Sequence, residues 1–196
     1  MKKKLFNLIL LGDPASGKAT QGRRLVRRYG LYELDMGREV RRASVMKRYD
    51  YGRTVARGKL APTRLVRSIL RRAIAIAPQN KGILFNGAPK MVGEAKLVSK
   101  WLSEHGRLDP IVVYVGIPIR ETMRRIRWRR EYVGGKLRKR DDDDVLALQN
   151  RAKYYQTEIK KTVAFFRERY KFKKVSGLGT RSEVYKRIIS YLDKQP

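Results

Sequence analysis

Leu8-Ile9-Leu10-Leu11-Gly12-Asp13-Pro14-Ala15-Ser16-Gly17-Lys18-Ala19-Thr20 passes from an unbroken apolar run into a glycine-bounded loop that closes on a lysine. Consecutive apolar residues suit a strand covered on both faces. Gly12 and Gly17 permit a tight turn in which successive N–H groups point inward. The residues that follow read as a helix, whose N-terminus adds partial positive charge. Strand, loop and helix in this order make a phosphate cradle, and the alternative is an ordinary tight turn between strand and helix. In such a cradle Lys18 reaches the β- and γ-phosphates of a nucleoside triphosphate, and a nearby hydroxyl binds Mg²⁺. The usual pattern has Ser or Thr directly after Gly-Lys, whereas here Ala19 intervenes before Thr20.

Beyond this loop, short apolar runs alternate with longer amphipathic stretches, the pattern of a parallel α/β sheet. Strands are expected at 5–11, 31–34, 82–86, 111–115 and 172–176. Helices are expected at 17–29, 37–48, 62–77, 92–105, 118–130, 142–169 and 181–192, with Pro62 and Pro118 suited to first turns. Gly134-Gly135 interrupts a strongly charged stretch and predicts the tip of a mobile loop. Ligands of such sheets bind beyond the C-terminal strand ends. Those ends carry the Gly12 loop, Asp35-Met36-Gly37-Arg38, Asn86-Gly87-Ala88-Pro89-Lys90 and Gly116-Ile117-Pro118. One cleft lined by Lys and Arg is expected.

The chain of 196 residues fits one domain with small inserted lobes. It has no cysteine, which excludes disulfides and a thiolate zinc site. The basic start Met1-Lys2-Lys3-Lys4 leads into a short apolar run that reads as a core strand rather than a signal peptide. No stretch approaches a membrane span, and the expectation is a soluble, cytoplasmic monomer. The formal charge of +30 has two readings: solvated surface, or a field that attracts polyanions, including nonspecific association with nucleic acid.

The cations in order are Lys18, Arg41, Lys90, Arg125, Arg129, Arg140 and Arg151. Arg125 and Arg129 share a helix face, and Arg140 and Arg151 stand about three helical turns apart. Converging cations suit phosphoryl transfer, in which the protein positions two groups in line and neutralises equatorial oxygens. An acceptor that is itself a phosphate needs no general base. The sequence agrees: His105 is the single histidine, it falls on an expected helix away from the strand ends, and no nucleophile set with Ser or Cys assembles. The run Asp141–Asp144 reads either as helix N-capping or as a latch or hinge over the cleft.

The ordered set resembles the adenylate kinase family of nucleoside monophosphate kinases along nearly the whole chain. Gly12–Gln21 is similar to that family's Gly-x-Pro-Gly-x-Gly-Lys-Gly-Thr-Gln loop, with Ala15 and Ala19 in place of glycines. The same family places Thr two after the Lys. Gly37–Arg41 resembles the opening of its monophosphate lobe, and Gly58–Pro62 the closing segment whose backbone touches the base. Gly82–Lys90 resembles its Gly-Phe-x-x-Asp-Gly-Phe-Pro-Arg strand and loop. The resemblance implies an α/β, P-loop NTPase-type three-layer sandwich with a five-stranded parallel sheet. It also implies a small helical monophosphate-binding lobe near 36–65 and a short lid near 130–140, too short for a zinc knot. The implied reaction is ATP + AMP ⇌ 2 ADP with Mg²⁺. ATP contacts would fall on Gly12, Ala15, Ser16, Gly17, Lys18, Ala19, Thr20, Arg125, Arg129 and Gly179. AMP contacts would fall on Met36, Arg41, Lys59, Ala61, Gly87, Lys90, Glu94, Arg140 and Arg151. Lys18, Lys90, Arg129, Arg140 and Arg151 would act on the migrating group, with Thr20 toward the metal.

The departures cluster in the acceptor half. Asn86 replaces the family's Asp that orients hydrated Mg²⁺. Lys90 replaces an Arg and loses its bidentate fork. Glu94 replaces a Gln that reads adenine; an ionised carboxylate only accepts, so it suits the adenine amino group or the N–H edge of guanine. Asp35-Met36 stands for Ser-Thr, and Arg38 for an acid. Three readings therefore stay open: an adenylate kinase, a kinase of GMP, CMP or UMP, and a weakly active kinase-like RNA-associated protein.

Overall fold

Leu8, Ile9 and Leu10 are fully buried, which places the first strand, β1 (Asn7–Gly12), at the centre of the molecule. The computed structural model describes residues 5–42, 50, 54–128, 131–133, 136–138, 147, 150 and 154–195. The five-stranded sheet has the order β2 (Tyr32–Asp35), β3 (Ile83–Asn86), β1, β4 (Pro110–Gly116), β7 (Phe172–Ser176). All neighbours are parallel. A separate antiparallel pair joins β5 (Glu131–Val133) to β6 (Lys136–Arg138), flanking the expected lid tip.

The period of a strand sorts β1 between two cores. Ile9 and Leu11 face a cluster with Leu70, Phe85, Val98 and Phe166. That side is covered by α3 (Thr63–Ile76), α4 (Val92–Glu104) and α6 (Lys160–Arg169). Leu8 and Leu10 face a cluster with Leu25, Val184 and Ile188, carried on α1 (Lys18–Tyr29) and α7 (Arg181–Leu192). Each such fully buried aliphatic side chain contributes about 1.5–3 kcal/mol. At the opposite end of β1 from the cleft, buried Asn7 donates to the Leu108 carbonyl at 2.6 Å and accepts from the Ile83 N–H at 2.9 Å. The result is the three-layer sandwich expected from the sequence.

Two helices differ from expectation. The helix after β2, α2, spans Met36–Arg41, because Arg42 leaves helical geometry at φ −56°, ψ 135°; residues 43–49 lie outside the described set. The long helix expected at 142–169 is described only in its later part. There, a π-helical turn at Tyr155–Ile159 precedes α6. A short 3₁₀ turn occupies Val55–Arg57, and α5 spans Ile119–Trp128.

Candidate active site

The loop after β1 is fixed by its first residue. Asp13 N–H donates to the Val115 carbonyl at 3.1 Å. Its carboxylate accepts from the Tyr114 hydroxyl at 2.6 Å and the Ile117 N–H at 2.8 Å. A Cβ on Gly12 would collide with the Val115 carbonyl, so β1 and β4 approach this closely only with glycine there. Gly17 at φ 91° turns the chain into α1, and Ala15 holds φ 57°. Ala15 occupies a position where the resembling family has glycine, and keeps the left-handed geometry at a cost of about 1–2 kcal/mol.

Lys18 Nζ donates to the Gly12 carbonyl at 2.5 Å and the Asp13 carbonyl at 2.8 Å, folded over its own loop. Ser16 is buried, and its Oγ has no partner among the described residues. A buried hydroxyl without a partner costs about 1–3 kcal/mol, and an anion in the cradle would supply the missing acceptor.

These groups line one end of a cavity of about 1170 Å³. Ala15, Ser16, Gly17, Lys18, Ala19 and Thr20 form one wall, with Arg125 and Gly179 beside them. Met36, Arg41, Lys59, Ala61, Gly87, Lys90 and Glu94 line the rest. Gly12 is not on that wall; it sits beneath, where β1 meets β4. Arg129, Arg140, Arg151 and the Asp141–Asp144 run lie outside the described residues. His105 does not line the cavity; it is half-buried, with Nδ1 2.8 Å from the Trp101 carbonyl.

Arg125 is already engaged. It pairs with Glu121 at 2.5 Å and donates to the Gly177 carbonyl at 3.0 Å and, at 3.4 Å, to that of Ala15. It ties the phosphate loop to the loop after β7. Arg187 holds that second loop from the other side, through the carbonyls of Ser176 at 3.0 Å and Leu178 at 2.6 Å.

Across the cavity, Glu94 is buried, and one carboxylate oxygen accepts the N–H groups of Lys90 at 2.9 Å and Met91 at 3.3 Å. The carboxylate therefore closes the first turn of its own helix α4, a role the sequence did not suggest. Burial pushes its pKa up, opposed by those N–H groups and the Lys90 charge. The Lys90 carbonyl accepts from Thr162 of α6 at 2.9 Å, and Lys90 Nζ lies 5.7 Å from the Tyr154 ring centroid. Asn86 is buried and donates to Glu33 of β2 at 3.1 Å.

Among the described residues no group of three His, Asp or Glu side chains forms a metal cage. Thr20 and Asn86 both line the cavity. That donor set fits an ion held chiefly by phosphate oxygens and water, as Mg²⁺ is. Sequence reasoning missed Val55, Trp128, Tyr154 and Thr180, which also line the cavity. The helical phase of Val55 and Trp128 carries no signal for a cleft wall.

A family profile described as adenylate kinase matches residues 10–171. An adenylate kinase of Porphyromonas gingivalis is 30% identical over 194 residues, covering 97% of this chain and 97% of that protein. Adenylate kinases of Phocaeicola vulgatus and Bacteroides thetaiotaomicron are 27% and 28% identical, each covering 97% of this chain and the whole of the relative. With the P-loop, the parallel sheet and the two-ended cavity in place, the chain belongs to the adenylate kinase family, nucleoside monophosphate kinases that transfer a phosphoryl group.

Proposed function

We propose that the chain catalyses reversible, Mg²⁺-dependent transfer of the ATP γ-phosphoryl group to AMP, giving two ADP. The observation that carries this reading is the continuity of one cavity from the Ser16–Lys18 cradle to the Arg41, Lys90 and Glu94 wall. A donor and an acceptor fit head to head between them. An oxygen of the AMP phosphate attacks the γ-phosphorus, and the bond from that phosphorus to the β-phosphate bridging oxygen breaks. The leaving ADP keeps the electron pair, and no proton must be removed from the attacking phosphate.

This chain's residues supply position and charge. The loop N–H groups and Ser16 Oγ hold the β-phosphate region, and Lys18 swings from its carbonyl contacts to follow the transferred group. Arg41 and Lys90 hold the acceptor phosphate, with Arg129, Arg140 and Arg151 proposed to join them. Thr20 would hold the metal, which supplies charge neutralisation on the phosphate oxygens. A monophosphate lobe near 36–65 and a lid near 130–140 would exclude water on closing.

A coupled assay across AMP, GMP, CMP and UMP, with and without Mg²⁺, tests the reading. AMP is expected to be preferred, and Lys18→Ala to lower kcat by about 10²-fold or more. Near-normal turnover in Lys18→Ala would remove the P-loop from the mechanism. One observation favours a second acceptor: Glu94, as an acceptor-only carboxylate, also complements the N–H edge of guanine. GMP turnover above AMP turnover in the same assay would select that reading.

A further inference from the structure

The exposed side of α3 carries Arg64, Arg67, Arg71 and Arg72, while Val66, Leu70, Ala73 and Ile74 of the same helix are buried in the core. Positions 64, 67 and 71 form one row along the helix. At 1.5 Å per residue their origins lie about 4.5 and 6 Å apart along the axis. With Trp101 of α4 these four arginines border a recess of about 450 Å³. It shares no lining residue with the nucleotide cavity. Trp101 packs one part of its ring on the core and leaves another part open to the recess. Arg67 leans across to α4, its guanidinium 3.4 Å from where a Cβ of Gly93 would stand.

Among the described residues none of the four arginines pairs with a carboxylate. Like charges at helical spacing repel, so the bare protein bears a cost here that a polyanion removes. Planar guanidinium groups match phosphate oxygens bidentately. An indole beside a cationic track is the arrangement on which an unpaired base stacks. A membrane surface is a poorer match: a helix lying in a bilayer turns a broad apolar face outward, and the apolar face of α3 is inward, with Ile76 its one exposed large apolar residue.

We infer that the α3–α4 groove binds single-stranded nucleic acid, its backbone phosphates on Arg64, Arg67, Arg71 and Arg72 and a base against Trp101. The groove shares no lining residue with the nucleotide cleft, and the inference stands whichever monophosphate is the acceptor.

Fluorescence anisotropy with a labelled 12-nucleotide oligouridine tests it over a range of NaCl concentrations. The double reversal Arg64→Glu/Arg71→Glu is compared with Lys173→Glu/Lys186→Glu, an equal charge change on exposed residues of β7 and α7. At 0.15 M salt the groove variant is expected to bind at least about tenfold more weakly. The slope of log K against log salt should become shallower by about 1.4, at roughly 0.7 per lost phosphate contact on a single strand. The matched control should stay within about threefold. In a Trp128→Phe background, RNA should quench the emission of Trp101. ATP–AMP turnover of the groove variant should equal that of the parent, which shows that it is folded. Equal losses in both reversals would reduce the effect to net charge and overturn the site. Unquenched Trp101 emission would also overturn it, as would displacement of the RNA by phosphatidylserine vesicles that bind the groove more tightly.

Discussion

Asp13 looks like loop filler between Gly12 and Pro14, yet both its carboxylate oxygens are spent on β4 and the turn after it. Its partner Tyr114 lies 101 positions away in the chain, so no local pattern could have exposed the pair. Removing the carboxylate leaves a half-buried hydroxyl and an N–H without acceptors, at about 1–3 kcal/mol. Asp13→Ala should therefore lower the urea midpoint and raise KM for ATP, since the loop loses its tie to β4. Tyr114→Phe should cost less, about 0.5–1.5 kcal/mol. The pair also sets an alkaline dependence. Burial, then the hydrogen bond to Asp13 and last its charge, holds the Tyr114 hydroxyl well above the usual tyrosine range. The folded state keeps a proton that the unfolded chain releases near pH ~10. The contribution is whole below that pH and is lost as pH rises beyond it, because the folded state there binds more protons. Urea melts at pH 8 to 11 should show the gap between parent and Tyr114→Phe closing from about pH 10 upward. A constant gap would mean that folding leaves the titration of the Tyr114 hydroxyl unchanged.

The elements were legible where the hydrophobic period was strong. All five strands of the main sheet appear within two residues of expectation, because runs such as Leu8–Leu11 and Ile111–Val115 are buried on both faces. The phosphate loop was equally plain, since glycine, lysine and strand are local in sequence. What the sequence hid depends on tertiary contact. One example is the π-helical turn at Tyr155–Ile159. Another is the early end of α2 at Arg41. A third is Glu94, one carboxylate oxygen of which caps its own helix. Capping also governs the other rim of the cleft. Thr180 and Glu183 form a reciprocal box at the start of α7: the Thr180 N–H meets Glu183 at 2.6 Å and the Glu183 N–H meets Thr180 Oγ1 at 3.2 Å. Thr180→Ala should lower stability by about 1 kcal/mol. It should also loosen the Gly177–Thr180 loop on the cavity wall, and so raise KM for ATP. The box depresses the Glu183 pKa, through the Thr180 N–H first and its hydroxyl second. That support is present above the ordinary glutamate pKa and lost as pH falls through the depressed value. The melting temperatures of parent and Glu183→Gln should converge in acid. Calorimetry between pH 3 and 7 checks this, and curves that stay parallel would place the cost of the substitution elsewhere.

For the whole molecule the governing quantity is the +30 charge. Self-repulsion on this scale opposes compaction, and part of it is concentrated where the phosphate loop, Arg41, Lys90 and Arg125 share a wall. Two effects of added salt can be separated. Chloride screens the surface over a Debye length of about 8 Å at physiological strength, and should raise the melting temperature smoothly. Sulfate at equal ionic strength screens equally, adds the general stabilisation of an excluded salt, and is expected in addition to bind the loop where Ser16 Oγ lacks a partner among the described residues. Binding to the folded state alone stabilises by RT ln(1 + [L]/Kd), about 2.7 kcal/mol at a hundredfold excess over Kd. The melting temperature should therefore rise further in sulfate than in chloride. Lys18→Ala should remove only the saturable part of that excess, since exclusion from the rest of the surface is unchanged. Scanning fluorimetry from 10 to 300 mM of each salt reads the difference directly. If the parent and Lys18→Ala gain the same sulfate increment at every concentration, the increment is bulk salt behaviour and the cradle does not select tetrahedral anions. If the increment saturates in the parent alone, the phosphate loop is assembled before nucleotide arrives, and the charge of the molecule is in part a preformed anion site.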